Sequence, residues 1–139
     1  MKAQILYRIT SVLLLFFAAG HTLGFRQTYP KWGVDALVGS MRSIHFDVQG
    51  FSRTYWDLYQ AAGFSVGVFY LFAAVFAWQL GGLRGETLAA MRGPAWALAG
   101  CFAAITVLCW RYLFIGPIVF TMVITACLTA AAWLSAKTG

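Results

Sequence analysis

The chain is 139 residues long, 61 % of them hydrophobic and only 10 % charged, with a net charge of +6. Soluble domains carry about 25 % charged residues, so this chain cannot cover its own surface with polar groups, and lipid must be part of its solvent. The excess positive charge does not point to nucleic acid, because the ten Lys and Arg stand singly at the edges of apolar runs rather than in a stripe that could track phosphates.

In chain order, four runs meet the requirement of roughly 20 mainly apolar residues for a spanning helix: 5–25, 58–80, 95–113 and 117–134. The fold class is therefore an all-α membrane protein, a bundle of four transmembrane helices forming a single domain over 1–139. The first run follows Lys2 and Arg8 and passes Ala18, Ala19 and Gly20, which imitates a signal peptide. Its apolar character continues beyond Gly20, so it reads as a retained span.

The connection at 26–56 is long for so short a chain, and it holds Tyr29, Trp32, Phe46, Phe51, Tyr55 and Trp56, so it is expected to be structured. Val34, Leu37, Val38, Met41 and Ile44 recur at helical spacing, which predicts a short amphipathic helix lying at the membrane interface. About 100° per residue puts His45 within that stripe and directs it inward. The second connection is a loop marked by Gly81, Gly82, Gly85 and Gly93. The third, around Gly116, allows only an antiparallel hairpin, with Pro117 opening the fourth helix.

Four antiparallel spans set Lys2, Arg8, Arg84, Arg92 and Lys137 on one side and Arg26, Lys31, Arg42, Arg53 and Arg111 on the other. The balance leaves orientation to the first helix, whose leading cations place both termini in the cytoplasm. The polar chemistry is not balanced. His21, Arg26, His45, Asp47, Arg53, Asp57, Gln60 and Arg111, with Tyr55, Trp56 and Trp110, all fall at one end of the spans.

Each of these residues also has a plain role. Thr54 and Asp57 have capping-box spacing, Arg111 can snorkel or pair with Asp57, and the aromatic residues fit an interfacial belt. His21 lies inside a span, where ionisable groups are costly and often functional, although Gly20 and Gly24 beside it would let a neighbouring helix pack closely. Arg53, Asp57, Gln60, Phe64, Gly67 and Leu71 follow helical spacing as one face, a polar mouth over an apolar shaft, while Gly63 and Gly67 form a small-xxx-small pair that suits ordinary helix packing there. Thr121, Thr125 and Thr129 form a mild seam whose hydroxyls are expected to return to the backbone. Cys101, Cys109 and Cys127 read as small core residues, and the pattern requires no metal or cofactor.

The run 19–25, then His45-Phe46-Asp47 and the run 52–57, resemble small bacterial four-helix membrane proteins of unassigned function. The layout with a long first loop is loosely similar to DoxX-type membrane proteins. The resemblance implies a multi-pass protein of a bacterial inner membrane and brings no activity with it.

Two functions follow as expectations. One is binding or conversion of a lipophilic small molecule (lipid, quinone or sterol-like). His21 or His45 would exchange a proton, Asp47 or Asp57 would orient the imidazole, and Arg26, Arg53, Tyr55, Trp56, Gln60 and Arg111 would hold the ligand. The other is an accessory subunit capped by salt bridges, joined to a partner membrane protein or to further copies of itself. Haem ligation by the two histidines and conduction through a lone protomer are set aside.

Overall fold

A computed structural model describes residues 2–136; Lys137, counted among the flanking cations, lies outside them. Of the described residues, 81 % are helical. It runs α1 (Lys2–Gly24), a 3-10 turn (Pro30–Trp32), α2 (Asp35–Ser43), β1 (His45–Val48), β2 (Phe51–Thr54), α3 (Tyr55–Leu80), α4 (Gly85–Ala90), α5 (Arg92–Tyr112) and α6 (Ile115–Ala136). α1, α3, α5 and α6 are each long and apolar enough to cross a membrane. In each of them, 33 % or less of the most apolar stretch is buried, so most of that apolar surface faces outward.

These four helices all begin two or three residues before the apolar runs do. Apolar content marks where lipid begins, whereas a helix continues into the polar flank while its hydrogen bonds and caps allow. Pro94 and Pro117 each sit third in their helices, within the first turn, where the missing N–H leaves no bond unmade. Pro117 therefore follows the start of α6 at Ile115 rather than making it.

The chain divides into two compact units, one formed by 18–69 and the other by 1–17 together with 70–139. In the second unit Tyr7, Leu14, Phe102, Ile124 and Leu128 are fully buried, with Ala73, Ala77, Ala131 and Ala132 letting the backbones approach. Ser11 donates to the Ala74 carbonyl at 2.7 Å, and the Gln4 amide donates to Leu83 O at 2.7 Å. The Arg8 guanidinium lies 3.6 Å from the ring centre of Trp78. Thr106 and Thr125 meet hydroxyl to hydroxyl at 3.0 Å, tying α5 to α6 across their short connection. Thr121 instead returns its hydroxyl to Pro117 O at 2.8 Å, as expected of a threonine seam.

In the unit formed by 18–69, the end of α1 packs on the start of α3. Gly63 and Gly67 of α3 face this crossing. A β-carbon on Gly63 would collide with the Phe25 ring, and one on Gly67 would lie 2.9 Å from Thr22 Oγ1. Gly20 and Gly24, expected to admit a neighbour, face open space: a β-carbon on either would meet nothing within 4 Å. The close approach therefore comes from the small residues of α3, not from those flanking His21.

The long first connection holds a feature the hydrophobic pattern did not show. α2 ends at Ser43, Ile44 is extended (φ −85°, ψ 112°), and the chain then forms an antiparallel hairpin. Its register pairs His45 with Thr54, Phe46 with Arg53, Asp47 with Ser52 and Val48 with Phe51. Gln49 and Gly50 make the turn, with φ of 51° and 85°, the left-handed pair that joins twisted strands through two residues. Outside that connection, the short helix α4 lies within the second one.

Candidate functional site

The unit 18–69 contains all the candidate residues except Arg111, and builds three adjoining pieces of chemistry. The first is the helix crossing. His21 Nε2 lies 2.9 Å from the Gly63 carbonyl oxygen. A carbonyl only accepts, so Nε2 carries the proton and donates it. The imidazole stacks on Phe25 (5.3 Å between ring centres, 14° between planes), and Tyr59 donates its hydroxyl to Phe25 O. Phe64 meets the same Phe25 ring edge-on at 5.3 Å. His21 is thus a partly buried bridge between α1 and α3. Gln60, on the same stretch of α3, has its side-chain oxygen buried without a hydrogen-bond partner.

The second piece is a cup of about 200 Å³. Val34, Val38 and Met41, three members of the expected α2 stripe, line it at i, i+4 and i+7. Trp56 and Tyr59 from α3 and Trp32 from the 3-10 turn supply aromatic wall. The chain leaving α1 adds Phe25 and three polar residues, Arg26, Gln27 and Thr28. The other two stripe members, Leu37 and Ile44, are 62 % and 60 % exposed and face away. The guanidinium of Arg26 lies 5.2 Å from the Phe64 ring centre, and that of Arg42 lies 4.3 Å from Trp56. Both arginines therefore hold their charge against aromatic faces.

The third piece is the hairpin and the helix start behind it. The Thr54 N–H and hydroxyl both donate to Asp57 Oδ2 at 2.9 Å, and Asp57 N–H donates to Thr54 Oγ1 at 3.2 Å. This is the reciprocal capping box the spacing suggested. His45 is exposed and extended. It is not on the α2 stripe, because α2 has already ended and the strand ladder takes over its main chain. Its Nδ1 is 3.4 Å from Ser52 Oγ. Alternation sets His45, Asp47 and Ser52 on one face and Phe46, Val48, Phe51 and Arg53 on the other. Arg53 is therefore a strand residue, not part of the helical face expected with Asp57 and Gln60. It donates to Ser52 O at 2.9 Å and lies 5.2 Å from the Phe51 ring centre. Tyr55 packs on Phe46 at 5.2 Å.

Arg111 belongs to the other unit, exposed at the end of α5 with its guanidinium 5.6 Å from the Tyr112 ring centre. Among the described residues, no three His, Cys, Asp or Glu side chains converge as a metal site requires. The three cysteines are free thiols. Sequence reasoning missed Val34, Val38, Met41 and Trp32 as site residues because they read as packing, and missed the hairpin because Gln49-Gly50 lacks the Asn or Asp that ordinarily marks such a turn. No family model, curated protein or solved structure matches the chain.

Proposed function

We propose that this chain is a four-helix bundle spanning a bacterial plasma membrane, with both termini cytoplasmic, and that it binds the ring or headgroup of a lipophilic small molecule in the cup of the 18–69 unit. The observation that carries the reading is the cup itself, where apolar and aromatic walls meet Arg26, Gln27 and Thr28. Concave, mainly apolar surfaces with a few polar groups are how proteins take small molecules. At about 200 Å³ the cup suits one substituted ring, since a cavity of about 150 Å³ admits benzene. This favours a quinone-like or small polar head, with its tail left in lipid, over a sterol nucleus.

The test is to fill the cup. Purified Met41→Trp should lose the co-purifying lipophile, read by solvent extraction and mass spectrometry, while its helix content by circular dichroism is unchanged. Leu37→Trp on the outward face should keep it. Equal content in both variants would overturn the reading.

One observation supports an accessory role instead. The His21 and Asp57 hydrogen bonds described above are made to the protein's own groups, as a structural cap would make them. If their alanine variants melt the protein and the cup binds nothing, that role is favoured.

A further inference from the structure

The hairpin is amphipathic across its two faces, and its apolar face is covered within its own unit only where Tyr55 packs on Phe46. Val48 is 48 % exposed and Phe51 is 60 % exposed, although both are large and apolar. The face does not stop at the strands. Phe46 touches Tyr55, which is 63 % exposed, and Leu58 one turn later is 49 % exposed, so one apolar surface runs from the hairpin onto α3. The opposite face carries His45, Asp47 and Ser52.

Position decides what covers this surface. β2 leads directly into α3, whose 26 residues make a rod about 39 Å long, against a hydrocarbon core of about 30 Å. The surplus puts the first turns of α3, and the hairpin before them, in the headgroup layer, where tyrosine and tryptophan concentrate. Arg53 stands on the apolar face with its guanidinium 5.2 Å from the Phe51 ring centre and one N–H on Ser52 O, while the acidic Asp47 is on the other face. Beside an apolar surface seated at the interface, the remaining N–H groups of that cation suit anionic headgroups.

We propose that the β1–β2 hairpin is an interfacial anchor that seats Phe46, Val48, Phe51 and Tyr55 at the acyl-chain boundary with Arg53 on lipid phosphate, leaving His45, Asp47 and Ser52 in water. This rests on the membrane-spanning reading of α3 but not on the ligand. The test uses the full chain with Cys101, Cys109 and Cys127 replaced by alanine, its helix content checked by circular dichroism. Spin labels go singly on Val48→Cys, Phe51→Cys, Asp47→Cys and Ser52→Cys, with Val68→Cys, 66 % exposed on α3, as the control. In phosphatidylglycerol vesicles, oxygen should relax the labels at 48, 51 and 68 severalfold more than a water-soluble nickel chelate does, and the order should reverse at 47 and 52. Diluting with phosphatidylcholine, or adding Arg53→Gln, should weaken the oxygen preference at 51.

Water-facing labels at 48 and 51 with a lipid-facing label at 68 would overturn the anchor and leave the surface for a protein partner. A water-facing label at 68 would instead overturn the spanning reading. A signal at 51 indifferent to both phosphatidylglycerol and Arg53 would remove the phosphate contact.

Discussion

His21 hydrogen-bonds the main chain of Gly63, its Nε2 2.9 Å from the carbonyl oxygen, so the histidine of one long helix is held by a glycine of another. The acceptor fixes the tautomer, and the stack on Phe25 fixes the ring plane. Hydrogen bonds between membrane helices contribute about 1 kcal/mol. His21→Ala should therefore lower the melting temperature in a fixed detergent, and His21→Gln, which keeps an N–H donor, should recover part of the loss. Equal melting of all three proteins would show that the bond contributes nothing.

The two glycine pairs should respond in opposite directions. At Gly63 a methyl group meets a Phe25 ring held by His21, Tyr59 and Phe64, so the ring cannot simply turn aside. Overpacking of this kind costs about 1–3 kcal/mol. Gly67→Ala should cost less, since it presses on a hydroxyl. Gly20→Ala and Gly24→Ala lie in open space on a helix and should be neutral or stabilising by up to about 1 kcal/mol. Thermal or denaturant unfolding of the four single variants in one detergent gives the ranking, and destabilisation by Gly24→Ala equal to that of Gly63→Ala would contradict the packing described.

The capping box joins β2 to α3, so its loss should be felt in both. Thr54→Val and Asp57→Ala are each expected to cost about 1 kcal/mol. Because the two residues share their hydrogen bonds, the double variant should cost clearly less than the sum. Additive costs would mean that the residues stabilise the chain separately. Thr54 is also the ladder partner of His45, so amide exchange in β1 should quicken in either variant.

How much of this was legible depends on the signal each element leaves. The four long helices are plain in composition, because lipid demands an apolar surface whatever the packing. The Thr54–Asp57 box is a local spacing and can be read directly. The α2 stripe is readable only in part: Val34, Val38 and Met41 line the cup, but Leu37 and Ile44 carry the same apolar label and face outward. Hydrophobic spacing cannot say which of two apolar flanks meets the protein and which meets lipid. Periodicity misplaces His45 for a related reason: the stripe runs up to it without a break, and the strand begins where tertiary pairing takes over. The sequence offers two glycine pairs for close packing, Gly20 with Gly24 and Gly63 with Gly67; only the α3 pair makes the contact, and which pair is used is a fact about the crossing of two helices that one sequence cannot state.

The Gln49-Gly50 turn offers a direct test of what holds the hairpin. Gln49 has φ of 51° and carries a side chain where the left-handed region crowds its β-carbon, a strain of roughly 1–2 kcal/mol. Asparagine tolerates that region better, because its short amide can bond locally, and Asn-Gly is the favoured sequence for this turn. Gln49→Asn should therefore slow amide exchange at Val48 and Phe51 severalfold. Gly50→Val, placing a β-branched side chain at φ of 85°, should speed it by more than about tenfold. Neither substitution touches the α1–α3 crossing, so thermal melting of the long helices should barely move while exchange in the hairpin changes. Parallel shifts in both measurements would mean that the hairpin and the helices unfold as one unit, and the strands would then be part of the α3 packing rather than a locally folded cap on its start.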